Sequence, residues 1–296
     1  MADVRDRTAH FEIPGFEGEL VHPGDAAYDD TRSVFNAMID RKPALIARCT
    51  SAGDVAAAVN VAREKDVALS VYGGGHGVTG SAVVDAGICV DLRTMNRIDV
   101  DPDQRVARIE GGARWGEIDA ATQEHGLAVT GGRVTTTGIG GLALGSGSGW
   151  LERKFGFTCD NLVKAEVVTA DGRQVVASEA ENPDLFWGLR GGGAIGRVPV
   201  DATAFPQRNA PFNTHFLSMW EDPADTETNV AYVKEIAAAM KPWTTGRAYL
   251  NFIGDEGEGR VEAAFGPEKF AKLQTLKAKW DPTNLFRHNQ NIPPAR

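Results

Sequence analysis

Apolar positions recur with helical spacing at Val55, Ala58, Val59 and Ala62, and Ser51 precedes Asp54 at capping-box spacing. A helix is therefore expected from about Ala52 to Lys65. Val67 to Tyr72 reads as a strand that ends at Gly73-Gly74-Gly75-His76-Gly77, and the apolar run Ile88 to Leu92 reads as the next strand. The pattern predicts a strand-loop-strand unit with the glycine loop at its tip. Arg105 to Glu110 alternates like a further strand, and Trp115 to His125 has helical spacing with Gly126 placed as a C-terminal cap. Glu166 to Val176 is two β-rich runs joined by Asp171-Gly172, a strong hairpin signal. Asn182-Pro183 offers an N-cap and a first-turn proline for a short helix from Asp184 to Leu189.

On either side the pattern is looser. Residues 1–36 read as an approach segment with turns at Pro14-Gly15 and Pro23-Gly24. Beyond Ile195 glycine thins out, and a long helix is expected over Glu227 to Met240, a strand over Tyr249 to Ile253 and a helix over Pro267 to Ala278. Asp281 to Leu285 reads as a capped turn leading into an irregular tail. So little repetitive pattern makes a poor independent domain, and this part is expected to pack on the first. The expected divisions are 1–36, 37–195, 196–248 and 249–296.

Composition narrows the classes of function. With 42% hydrophobic and 24% charged residues in 296, the chain can bury a sizeable core. A net charge of −9 has the wrong sign for a broad nucleic-acid surface. Cys49, Cys89 and Cys159 are odd in number and widely spaced, which fits reduced thiols in a cytoplasm rather than a disulfide framework. The charged start lacks the apolar core of a cleaved signal, and no run reaches the roughly 18 apolar residues of a membrane span. A soluble protein without a membrane partner is expected.

Most of the 34 glycines lie between Gly73 and Gly193, where backbone must take positive φ or approach a ligand closely. Consecutive amides in Gly73, Gly74, Gly75, His76 and Gly77 can converge on phosphate oxygens, although the same run also fits an ordinary tight turn. It is neither a Rossmann fingerprint nor a P-loop, since no helix follows Gly77 and no Lys-Ser/Thr pair closes it. That leaves a nicotinamide-dependent dehydrogenase without its loop. His76 stands out among six histidines because the loop would carry it beside a bound nucleotide, where neutral imidazole is a competent nucleophile. The histidines show no metal-ligand spacing, and Gly145-Ser-Gly-Ser-Gly149 misses the register of a nucleophile elbow. Tyr249 and Asn251 share one face of their expected strand, where a phenol can move a proton and an amide can orient a ligand atom. Packing is the more common role for such a tyrosine.

Taken in order, Val71 to Gly77, Val84 to Gly87, Glu110 to Ala113, Thr136 to Gly141, Leu144 to Trp150, Arg153 to Leu162, Val167 to Gly172 and Asn182 to Gly193 carry a resemblance. They resemble the berberine bridge enzyme-like flavoproteins with the p-cresol methylhydroxylase (vanillyl-alcohol oxidase) type FAD-binding fold. The resemblance implies an α+β architecture of two FAD-binding subdomains. Pro199 to Pro206, Ala210 to Asn213, Tyr249 to Phe252 and Asp281 to Ile292 resemble the closing part of the same family, a C-terminal segment that packs back on the FAD domain.

By that resemblance His76 stands where an 8α-histidyl bond to FAD forms, and Gly73 to Gly77 wrap the pyrophosphate. Thr135, Thr137, Gly138, Gly141, Gly145 and Asn161 match positions lining the flavin, ribityl and phosphate parts, with Val168 near the adenine and Asn251 and Asn289 as further cofactor contacts. Val134 occupies the place of the second, cysteinyl link found in some members, so a single covalent link is implied. The implied activity is oxidation of an alcohol, amine or sugar hydroxyl of a small molecule, with dioxygen as acceptor and Tyr249 as the catalytic candidate. Most of the family's substrate domain is absent between Gly193 and Pro199. A flavin-binding remnant without turnover is the rival expectation, with apolar surface left exposed.

Overall fold

The structure is a computed structural model that describes residues 11–190, 204, 218–244, 259–288 and 290–296. Its first layer is a four-stranded sheet of β1 (Glu19–Val21), β2 (Leu45–Arg48), β3 (Leu69–Tyr72) and β4 (Ile88–Asp91) in the order β1-β2-β4-β3. β1 pairs antiparallel with β2, whereas β2 and β3 both run parallel to β4, with Leu45 and Leu69 opposite Ile88. The central strands β2 and β4 are apolar up to their last residues, Arg48 and Asp91, because both faces are covered. Leu45, Ala47, Leu69, Ile88 and Val90 meet Ala58, Val59, Val61 and Ala62 of α2 (Ala52–Glu64), while Ile46, Cys89 and Tyr72 meet Val21, Tyr28 and Val83 on the other side. Residues 11–36 thus contribute β1, the short helix α1 (Tyr28–Arg32) and buried Phe11 and Ile13 to this layer.

Local signals act as expected in α2. The Ser51 hydroxyl accepts from the Asp54 amide at 3.1 Å, and the Asp54 carboxylate accepts from the Ser51 amide at 3.2 Å. The strand-loop-strand unit differs from the expectation in one respect. β3 and β4 are parallel, so the glycine loop leaves the end of β3 and the chain crosses back to the start of β4. No helix makes that crossover. The Arg41 guanidinium instead donates to the carbonyls of Thr79, Gly80 and Val83 at 3.0–3.1 Å and holds it in place.

Two antiparallel hairpins follow. The first is β5 (Ile98–Asp101) with β6 (Val106–Ile109), its apolar side packed by Trp115 and Ile118 of α3 (Trp115–Gln123). α3 ends in a Schellman turn: the Leu127 amide donates to the Thr122 carbonyl, the Gly126 amide donates to the Gln123 carbonyl, and Gly126 has φ +65°. The short helices α4 (Ile139–Leu144) and α5 (Glu152–Phe155) lead to the second hairpin, β7 (Lys164–Val168) with β8 (Gln174–Ser178), turned at Asp171-Gly172 with Gly172 at φ +78°. α6 (Pro183–Leu189) begins at the expected proline, but Asn182 does not cap it: this residue is left-handed and its amide donates to the Val176 carbonyl.

The last third contains α7 (Thr226–Met240), α8 (Arg260–Phe265) and α9 (Pro267–Trp280). α9 docks on α6, with Lys279 Nζ 2.5 Å from the Asp184 carboxylate and Leu276 so close to Gly188 that a Cβ there would lie 2.2 Å from it. After α9 the Asp281 carboxylate accepts from the Leu285 and Phe286 amides, and Leu285 is buried among Phe11, Ile13 and the α2 face. The C-terminal segment therefore does pack back on the first domain. The expected strand Tyr249 to Ile253 lies outside the described residues. Among the described residues no helix is long and apolar enough to cross a membrane.

Candidate functional site

Three glycine segments, far apart in sequence, meet at the C-terminal end of β3. Gly74 and Gly138 touch through their backbones: a Cβ at Gly74 would lie 2.1 Å from the Gly138 nitrogen, and one at Gly138 would lie 2.3 Å from the Gly74 nitrogen. Gly140 abuts the Gly111 carbonyl in the same way, at 3.0 Å. The 135–141 segment is fixed from behind by α3, because Trp115 and Gly116 donate their amides to the Thr137 and Thr135 carbonyls at 2.8 Å. Ile139 in turn donates to the Ala113 carbonyl. Here glycine is required by close approach, since any side chain would wedge the loops apart.

His76 sits at this junction, half-buried. Its ring stacks on Phe35 with centroids 4.1 Å apart and planes at 19°, and its Nε2 lies 2.8 Å from the Thr136 hydroxyl. The Phe35 amide also donates to the Gly75 carbonyl, tying the aromatic to the loop it covers. Burial first, and the nearby Arg114 cation second, hold the imidazole below its ordinary 6.5, so it is neutral at pH 7. Neutral imidazole keeps a lone pair available for bonding.

The cradle suits a flavin nucleotide. Among the described residues none accepts a hydrogen bond from the amides of Gly73 to Gly77, which leaves them available to phosphate oxygens. Gly141 carries open space where a Cβ would stand, although its φ is ordinary, and Gly73 has only the Gly111 carbonyl at 3.4 Å.

Of the residues expected at the site, Gly73 to Gly77, Thr135, Thr137, Gly138 and Gly141 come together here. Gly145 lies one helix away as the buried C-cap of α4. Asn161 spends its amide nitrogen on the Phe155 and Phe157 carbonyls at 3.1 and 2.7 Å, which shapes the turn before β7. Val168 stands in β7 with its side chain against the first core. Tyr249, Asn251 and Asn289 lie outside the described residues. Val134 is 47% exposed. Sequence reasoning missed Phe35 and Arg114 and quoted Thr136 only as part of a motif, because their contacts with His76 depend on loop crossings rather than on local spacing.

A mixed four-stranded sheet, two hairpins and a glycine cradle define a flavin-binding fold of the p-cresol methylhydroxylase type. The FAD binding domain family model matches residues 43–178, and the berberine and berberine-like model matches residues 248–293. The chain belongs to the berberine bridge enzyme-like family of FAD-linked oxidoreductases. It is 31% identical to an uncharacterized FAD-linked oxidoreductase of Bacillus subtilis, YvdP, over 442 aligned positions that cover 94% of this chain and 98% of the relative. Since those positions outnumber the 296 residues here, YvdP has a long stretch without counterpart in this chain. The (R)-6-hydroxynicotine oxidase of Paenarthrobacter nicotinovorans is 41% identical over 65% of this chain and 43% of its own. The chain spans less than half the length of the first curated relatives it matches. A crystal structure of glucooligosaccharide oxidase from Acremonium strictum, described as carrying a 6-S-cysteinyl, 8α-N1-histidyl FAD, is 39% identical with a TM-score of 0.56, over 60% of this chain and 38% of that one.

Proposed function

We propose that this protein binds FAD in the glycine cradle, tethers it covalently through His76 alone, and oxidises an alcohol, amine or sugar hydroxyl of a small molecule with dioxygen as acceptor. The observation that carries the reading is the backbone contact of Gly74 with Gly138, which sets His76 at the rim of a cradle with unengaged amides. When bound, FAD supplies a two-electron acceptor for the donor carbon and returns the electrons to dioxygen. The protein's part is binding and orientation. Gly73 to Gly77 present amides to the pyrophosphate, Thr135, Thr137, Gly138, Gly141, Gly145 and Asn161 border the ring and ribityl chain, and Val168 lies toward the adenine. Asn251 and Asn289 are assigned to the cofactor and Tyr249 to proton transfer on family resemblance. By family resemblance Val134 stands where some members carry a cysteine, which leaves His76 as the one attachment point. Cys49, Cys89 and Cys159 are buried and in no disulfide, which supports a reducing, cytoplasmic setting.

One observation favours a second reading, a flavin-binding unit without turnover. YvdP has a long stretch that is absent here, and by family resemblance the missing part is the substrate domain, which would exclude water and position the donor. Anaerobic mixing of the flavin-loaded protein with a panel of sugars, alcohols and secondary amines decides between the two. Bleaching of the yellow absorption by any donor supports oxidation; a flavin reducible by dithionite but by no donor supports the second reading. Gly141→Ala tests the cradle itself: with open space at that position, the fold should keep its melting temperature while FAD occupancy falls.

A further inference from the structure

We propose that Thr136 is the positioning residue that fixes the orientation and tautomer of His76, leaving Nδ1 as the nitrogen that takes the flavin. This rests on the reading of His76 as the attachment point. Two contacts restrain the ring, and they act differently. Stacking on Phe35, at 4.1 Å and 19°, fixes the ring plane but is equally satisfied when the imidazole flips by about 180° around Cβ–Cγ. The Thr136 hydroxyl, 2.8 Å from Nε2, is lost as a partner in the flipped ring, which puts a C–H there instead, and so selects one of the two orientations. Among the described residues none hydrogen-bonds Nδ1. Thr136 is itself held, because its neighbours Thr135 and Thr137 anchor the backbone to α3 on both sides.

A neutral imidazole carries one N–H, and its position is set by the partner of the other edge. The pairing proposed has Nε2–H donating to the Thr136 oxygen, which puts the lone pair on Nδ1; the reverse pairing, with the hydroxyl donating to Nε2, would put the proton on Nδ1. Thr136 is solvent-exposed, so its own proton can point to water while its oxygen accepts. The attachment balances as follows. A bond forms between Nδ1 and the flavin 8-methyl carbon, that carbon loses one hydrogen, the ring loses its Nε2 proton, and the two electrons released reduce dioxygen to hydrogen peroxide. The threonine takes no part in the bond-making. Its effect is to keep the attacking lone pair aimed, much as outer partners orient metal-bound imidazoles.

The test begins with full-length protein from a riboflavin-starved host. Long-range proton–nitrogen NMR of the flavin-free protein reads the His76 tautomer directly. The expected state is Nε2–H, shifting to a mixture in Thr136→Val and restored in Thr136→Ser; a wild-type ring protonated on Nδ1 overturns the proposal whether or not either variant folds. FAD is then added and covalent incorporation followed by intact mass. Thr136→Val should attach FAD about tenfold more slowly than wild type while Thr136→Ser keeps pace. Carbon–proton couplings of the isolated flavin peptide should place the 8α-methylene on Nδ1. Equal rates in Thr136→Val and wild type, or attachment at Nε2, overturn the role of Thr136 and leave the tether intact. Wild-type protein that takes no FAD on His76 overturns the tether itself.

Discussion

Helices α2 and α7 are nearly equal in length, 13 and 15 residues, and both carry alanine-rich, amphipathic sequences. α2 buries Asp54, Ala58, Val59, Val61 and Ala62 against a sheet, whereas α7 buries no residue and leaves Val230, Val233, Ile236 and Met240 half-covered along one stripe. Sequence alone makes both helices, since alanine and spacing suffice for local structure. Burial depends on what stands opposite. α2 faces strands that the same short stretch of chain supplies, while α7 lies between the segments matched by the two family models. Exposed apolar residues occur in both regions: Trp150, beside the glycine loops, is 80% exposed and Met219, just before α7, is 87% exposed. The contrast is therefore one between two helices, α2 closed over by a sheet and α7 with nothing buried along its length.

The largest effect should come from the closest packing. Gly74→Ala drives a Cβ into the Gly138 backbone and should cost about 3 kcal/mol, with loss of FAD from the purified protein, read by urea unfolding and by absorbance. Next is a pair that compares the two helices directly. Val59→Ala, at 1% exposure, should lose about 2 kcal/mol, while Ile236→Ala removes more carbon yet should lose under about 1 kcal/mol. The reverse order would break the comparison. Ser51→Ala removes the hydroxyl of the α2 capping box and should cost about 1 kcal/mol.

The smallest effects are in pH dependence. Burial alone would raise Asp54, but hydrogen bonds from the Glu17, Thr50 and Ser51 amides and the Thr50 hydroxyl outweigh it and hold the carboxyl below its ordinary 3.8. Its contribution is complete above that value and is lost as pH falls through the depressed one. Asp54→Asn should therefore flatten the acid limb of unfolding stability. For His76, held below 6.5, an unfolded chain takes up the proton first, so stability falls as pH drops from 6.5 toward the folded value. Covalent attachment to the neutral ring should correspondingly persist below pH 6.5, which a mass-resolved pH series checks.

Much of the fold was legible because its signals are local. Ser51 with Asp54, Gly126 after α3, Asp171-Gly172 and Pro183 each act within one turn of chain, although Asn182 turned its side chain to Val176 instead of to its helix. β2, β5, α4, α5 and α8 escaped notice, each being six residues or fewer and so too short to show a period. The parallel return from β3 to β4 could not be read from the loop, because it is Arg41, distant in sequence, that holds the crossover. The site divides in the same way. The glycine run and His76 were visible, whereas the Gly74–Gly138 crossing and the Phe35 and Thr136 contacts arise only when separate segments meet.

The most direct measurement is the intact mass of the purified full-length chain, with a peptide map across residues 71–84. The account predicts one FAD added to the chain and found on His76. An unmodified chain that also releases no flavin on denaturation would contradict it.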